Sequence, residues 1–175
     1  ITNHDRLKQQ AEAAREKALA LLRRKDGSER LADIRNDMAK SMEEGCGIYR
    51  LEDEMQKNCD TIGELKKRYQ KLNLDDRSRT WNTEWLTALE LGFLLDVSQA
   101  IAFSAINRKE SRGSHQRLDG FEERDDVNFL KHTLAFFDQE TDRPRIEYMD
   151  VKITSSPPGV RAYGAAGEEA EAGKQ

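Results

Sequence analysis

Leu51, Met55, Cys59, Ile62, Leu65, Tyr69 and Leu72 step by threes and fours through a segment otherwise crowded with charge. That spacing gathers all seven on one side of a helix, whereas a strand would alternate. A helix with one such stripe must lay it against other helices. All three prolines, Pro144, Pro157 and Pro158, fall in the last third of the chain. Residues 1–143 therefore carry none of that helix breaker, and most of the chain is constrained to helices packed side by side.

The neighbouring segments extend the pattern. From about Asn3 to Lys25 the chain is rich in Ala, Glu, Lys, Arg and Leu, with a weak stripe made mostly of alanine. Asp26-Gly27-Ser28 reads as a stop followed by an N-cap. A second helix is predicted from Glu29 to Glu44, with Leu31, Ile34, Met38 and Met42 in register and Gly45-Cys46-Gly47 as a glycine cap. The fourth is predicted from near Thr80 to about Arg112. Its apolar residues, Trp81 to Phe103, cover most of its circumference, which marks a central helix with surface in search of a partner.

Beyond it, Thr133–Phe137 and Arg145–Ile153 read as strands, and Asp138–Pro144 has turn composition, which predicts a β-hairpin. Pro, Gly, Ala and Glu dominate from Ser155 onward, as in a disordered tail. The expected fold is mainly α: a three-helix, spectrin-like bundle with an extra N-terminal helix, then a small C-terminal β-hairpin and a disordered tail. The expected divisions are 1–28 as lead-in helix and linker, 29–131 as bundle, 132–154 as hairpin extension and 155–175 as tail.

Hydrophobic residues make up 37% of the chain and charged residues 35%, which suits amphipathic helices better than a buried sheet. The net charge of −4 gives no global attraction to nucleic acid or an anionic membrane. No uninterrupted apolar run approaches the roughly 20 residues that cross a bilayer, so a soluble chain is expected. The first residue is Ile1 rather than Met, which suggests a piece of something longer. Cys46 and Cys59 form no disulfide framework and suit a reducing compartment.

Catalytic constellations are scarce. Neither Ser111 nor Ser114 has a nucleophile-elbow pattern, although His115 is adjacent, and neither cysteine has a histidine near it in sequence. His115 and His132 lack metal-ligand spacing, as do Glu122, Glu123, Asp125 and Asp126. Asp138–Asp142 begins like a calcium loop but has Arg143 where glycine is required and Met149 where the closing glutamate belongs. A hairpin turn is the better account. No glycine-rich phosphate loop follows a strand.

The densest charge lies directly after the apolar helix, in NRKESRGSHQRLDGFEERDDVNFLKH, from Asn107 to His132. Arg108, Lys109 and Arg112 suit the last turn of a helix, with Gly113 as its left-handed cap. Asp119-Gly120 reads as a turn, and Asp125 or Asp126 is placed to open a short helix. Composition favours a solvated helix end here over a protein–protein surface.

The same stretch closely resembles the C-terminal region of the succinate dehydrogenase and fumarate reductase flavoprotein subunits. The resemblance rests on RKESRGSH (Arg108–His115) and ERDDVNFLKHT (Glu123–Thr133), joined in order by MEEGCGIYR (Met42–Arg50), DVKIT (Asp150–Thr154) and PPGVRAYG (Pro157–Gly164). It covers almost the whole chain from about Glu29. GCGIYR and HQRLD…ERDDVNFLKHTLAF look most like bacterial quinol:fumarate reductase, with succinate dehydrogenase the close alternative and L-aspartate oxidase further off. A non-enzymatic helical interaction module is the alternative from another class.

The resemblance implies a parent oxidoreductase that reduces fumarate to succinate at FAD in anaerobic respiration. It implies an iron–sulfur subunit, membrane anchor subunits and a flavin assembly factor as partners, at the cytoplasmic face of the inner membrane. It also implies that the FAD fold, the flavin-carrying histidine and the proton-donating arginine lie upstream, so this chain is expected to hold no catalytic, cofactor or metal residue. The implied role is scaffolding, with Arg108, Glu110, Ser111, Arg112, His115, Arg124 and Asp125 as interface candidates. On that reading Arg112→Ala should leave the chain's own melting nearly unchanged.

Overall fold

The computed structural model describes residues 3–156 and 159. Five helices and two small sheets follow one another: α1 (His4–Arg23), α2 (Leu31–Cys46), β1 (Tyr49–Arg50), α3 (Glu52–Tyr69), α4 (Thr83–Asn107), β2 (Gln116–Arg117), α5 (Asp126–Phe129), β3 (Lys131–Asp138) and β4 (Arg143–Asp150). The mainly helical architecture with a terminal hairpin is the one the periodicities predict. The proposed tail, and with it PPGVRAYG, falls almost wholly outside the described residues.

α2, α3 and α4 pack as a three-helix bundle. Its core gathers Ile34 and Met38 from α2, Ile62 and Leu65 from α3, and Ala88, Leu91 and Leu95 from α4. Each such Leu or Ile, once buried, contributes about 1.5–3 kcal/mol. α1 joins only through its C-terminal turn, where Leu19, Leu21 and Leu22 are buried. Trp85 pins that turn by donating Nε1–H to the Ala18 carbonyl at 3.0 Å. The alanine-rich part of α1 stays in solvent.

Several boundaries differ from expectation, each for a tertiary reason. Ser28 does not cap α2, because Glu29 is drawn into a parallel bridge with Leu72 and the helix starts two residues later. Gly45 lies within α2 rather than ending it, where a Cβ would meet Asn58 Cβ at 2.4 Å. Leu51 and Leu72 flank α3 instead of belonging to it. DVKIT is not a late strand: β4 ends at Asp150.

α4 begins after Asn82, whose side chain accepts from Trp85 N–H at 2.7 Å. It ends at Asn107, short of the expected Arg112. Its 25 residues are long and apolar enough to cross a membrane by length and composition, contrary to expectation, because isolated polar residues break the run in sequence without making the helix polar. Its inner face is nevertheless committed to the bundle, and the exposed Asp96 beside that face pairs with Lys66 of α3 at 3.0 Å.

β3 and β4 form the predicted antiparallel hairpin, from Lys131↔Asp150 to Asp138↔Arg143. The Asp138–Asp142 segment makes its turn. Lys66 Nζ holds the tip, reaching Asp142 at 2.9 Å and Gln99 Oε1 at 3.1 Å. At the base, Tyr148 Oη donates to the Asn107 carbonyl at 3.0 Å.

Candidate functional site

The charged stretch after α4 folds into a polar joint instead of a helix end. Arg108 adopts an extended backbone, and its guanidinium reaches across to the hairpin. Nη1 donates to the Phe129 carbonyl at 2.9 Å, and Nη2 donates to the Lys131 carbonyl at 2.7 Å and to Thr133 Oγ1 at 3.0 Å. One side chain thereby ties the exit of α4 to α5 and β3.

Glu110 stands at the centre, with a side chain 0% exposed. One carboxylate oxygen accepts from Arg108 and from Arg112 Nε, the latter at 2.9 Å. The other accepts from Arg112 Nη2 at 2.9 Å and from the Asp125 backbone N–H at 2.8 Å. A buried carboxylate is tolerated only when paired and hydrogen-bonded, and this one has both. Burial pushes its pKa up, but the hydrogen bonds from Arg112, Asp125 and Arg108 outweigh that and hold it below the usual value. Arg112 is raised in turn by its bond to Glu110, and Asp126 adds to the rise from 2.7 Å.

A second buried ion pair adjoins the first. Arg117, also 0% exposed, meets Asp119 through Nε–H at 2.8 Å and Nη2–H at 2.7 Å. The Phe121 ring lies 5.0 Å away. Asp119 in turn accepts from the Glu52 backbone N–H at 2.7 Å. Glu52 opens α3, whose N-cap Leu51 offers no side-chain acceptor, so Asp119 caps that helix from across the fold. Its hydrogen bond from Arg117 holds its carboxyl below the ordinary range.

His115 links both halves to the end of α2. Its Nε2 lies 3.0 Å from the Arg108 carbonyl and its Nδ1 lies 2.7 Å from Arg50 Nη1. A carbonyl only accepts and a guanidinium only donates, so Nε2 carries the proton and the ring is neutral. Burial, reinforced by the cations of Arg50, Arg117 and Arg108, lowers its pKa. Arg50 also donates to the Gly47 and Cys46 carbonyls at 2.7 and 3.0 Å, capping α2. Beside it β1 pairs in parallel with β2, Tyr49 opposite Gln116 and Arg50 opposite Arg117.

The expected helical last turn is thus corrected. Gly113, at φ +60, sits with Ser114 in a tight turn between Arg112 and His115, whose backbones exchange hydrogen bonds at 2.9 and 3.1 Å. Ser111 donates to the Phe121 carbonyl at 2.9 Å and accepts from Arg117 N–H at 2.8 Å. Asp125 opens α5 by accepting from Val127 and Asn128 N–H. Arg124 pairs with Asp126 and donates to the Gly159 carbonyl at 2.8 Å.

All seven interface candidates therefore lie in one joint, and their ion pairs close within the chain. Arg112 holds both oxygens of a buried carboxylate, so the expectation that its loss leaves melting unchanged is reversed. Arg50, Arg117, Asp119 and Asp126 complete the joint without having been named as interface candidates. Arg50 and Arg117 were signalled only by the GCGIYR and HQRLD wording, while Asp119 and Asp126 had been read as a turn residue and a helix opener.

Chemically the joint is saturated: both ring nitrogens of His115 and both oxygens of Glu110 are engaged. Cys59 is buried on α3 with its thiol pushed up to about 12, chiefly by desolvation, which makes it a core residue rather than a nucleophile. FAD asks for a glycine-rich turn from a parallel strand into a helix. Among the described residues no helix opens on such a turn, and the parallel pair spans two residues per strand. The residues present do not fit that cofactor.

The family profile described as fumarate reductase flavoprotein C-term matches residues 35–163. The fumarate reductase flavoprotein subunit of Haemophilus influenzae is 56% identical over 154 residues, covering 88% of this chain and 25% of that protein. The succinate dehydrogenase flavoprotein subunit of Coxiella burnetii is 46% identical over 105 residues, covering 60% of this chain and 18% of that protein. A chain of Escherichia coli quinol fumarate reductase superposes with a TM-score of 0.84 at 50% identity, over 93% of this chain and 28% of its own length. This chain spans about a quarter of the length of these fumarate reductase relatives. By profile, identity and fold, it belongs to the C-terminal domain family of the fumarate reductase flavoprotein subunits.

Proposed function

We propose that this chain is the helical C-terminal unit of an FAD-containing subunit that reduces fumarate to succinate, and that its own task is structural. Residues 29–131 act as bundle and joint, 132–154 as hairpin extension, and 1–28 as the lead-in from the flavin domain. The saturated joint locks the end of α2, the start of α3, the exit of α4 and the hairpin into one rigid body. Its rim, above all Arg112 and Arg124, faces the flavin domain or the iron–sulfur subunit. Membrane anchor subunits act at one remove, holding the assembly at the cytoplasmic face of the membrane. A flavin assembly factor docks transiently on the same edge.

The observation that carries this reading is the 56% identity across 88% of the chain to a fumarate reductase flavoprotein subunit. Succinate dehydrogenase relatives match at lower identity, 46% and 33%, which favours fumarate reduction. The test compares the complete subunit with the 175-residue chain. The complete subunit should bind FAD and oxidise a reduced viologen in the presence of fumarate, and the 175-residue chain should do neither. Stoichiometric FAD binding by the short chain would overturn the structural role.

A further inference from the structure

α4 has two apolar faces and the bundle uses one. Ala88, Leu91, Leu95, Ala102 and Ala105 point inward. Leu86, Phe93, Leu94, Val97 and Ile101 repeat at helical spacing on the opposite side and are all exposed, Phe93 at 69%. From Leu86 to Ile101 this outer stripe runs for about 22 Å at 1.5 Å per residue. α2 and α3 put charged residues on their outer faces, while the stripe on α4 carries one charge, Glu90. A large apolar patch on a soluble surface marks a contact. One this poor in charge has the composition of a permanent interface rather than a transient one.

The charges decide what covers it. α4 holds Glu84, Glu90 and Asp96 and no Lys or Arg between Thr83 and Asn107. An anionic lipid surface is therefore repelled. A second copy of α4 would bring no cation to Glu90 and would leave its carboxylate unpaired in an apolar contact. The relatives carry this unit as about a quarter of one longer polypeptide, so a covalently attached partner is present from synthesis onward, as a permanent interface requires. We infer that the outer face of α4 is the seat of the remaining three quarters of the same subunit, which brings an apolar ridge and a cation opposite Glu90. This rests on the function proposed above.

The test is cysteine protection in the complete subunit, purified without partner subunits. Val97→Cys is compared with Lys67→Cys, a position on the charged surface of α3, and the parent protein supplies the background from Cys46 and Cys59. Maleimide should label position 97 at least about tenfold more slowly than position 67, because reaction must await local opening. Leu86→Cys, at the other end of the stripe, should be protected likewise. Equal labelling at 97 and 67 overturns the inference. So does protection that appears only after the iron–sulfur subunit is added, or only at concentrations where the subunit dimerises. Protection in a subunit that holds no flavin would keep the contact and refute the proposed activity instead.

Discussion

Glu110→Gln isolates the electrostatic part of the joint, because it preserves side-chain volume and changes one oxygen into NH2. The remaining oxygen keeps Arg108 and Arg112 Nε. The new NH2 faces Arg112 Nη2 and the Asp125 N–H, acceptor contacts of 2.9 and 2.8 Å in the parent that become donor against donor. Hydrogen bonds to a charged group contribute about 1.5–3 kcal/mol each, and Arg112, partly exposed, recovers some of its loss from water. The expected destabilisation is therefore about 2–4 kcal/mol. For a urea m-value of about 1–3 kcal/mol/M, that lowers the unfolding midpoint by roughly 1–2 M. The sign with pH is fixed by the lowered pKa of Glu110. Its contribution is complete above the unfolded carboxyl value of about 4.3 and is lost as pH falls through the folded value. Parent and variant curves, measured by circular dichroism in urea, should converge in acid. A midpoint shift below about 0.3 M at pH 7.5 would refute the reasoning, because it would mean the carboxylate is not holding the two arginines.

The other predictions concern separate parts of the fold. His115 is held neutral, so stability should be fully present above the unfolded histidine value of about 6.5 and should fall as pH drops through the lowered folded value. A histidine titration by NMR that places His115 above 6.5 would contradict this. Cys59, with its thiol pushed up to about 12, should resist iodoacetamide at pH 8 until the chain is unfolded, as mass spectrometry would show. Gly45→Ala puts a methyl where Asn58 Cβ lies 2.4 Å and the Glu54 carbonyl 2.8 Å away. It should cost about 1–3 kcal/mol by forcing α2 from α3, read as a lower melting temperature.

What the sequence discloses divides along physical lines. The α3 stripe and the alternation in Arg145–Ile153 are local and repetitive, so helix and hairpin are legible from them. Helix ends were not, because distant groups set them: Glu29 is claimed by Leu72, and α4 stops where Arg108 reaches for carbonyls on α5 and β3. The two-residue pairing of β1 with β2 has no periodicity to show. Charge density between Asn107 and His132 reads as solvation, since composition cannot reveal that Glu110 and Arg117 are buried in matched pairs. Only the motif wording connected Arg50 with His115, and the fold supplies the reason as a 2.7 Å hydrogen bond. The outer face of α4 was visible as apolar surface in search of a partner, and it remains exposed in the folded chain.

The central claim is that the ESRGSH segment is a structural joint and not a catalytic centre. The most direct measurement is fumarate turnover per bound flavin in the complete subunit carrying Glu110→Gln, alongside flavin occupancy and thermal stability. A joint predicts lower stability or occupancy, with turnover per flavin within about twofold of the parent. A loss of about 100-fold in turnover per flavin, with occupancy and stability unchanged, would place Glu110 in the chemistry and contradict the account.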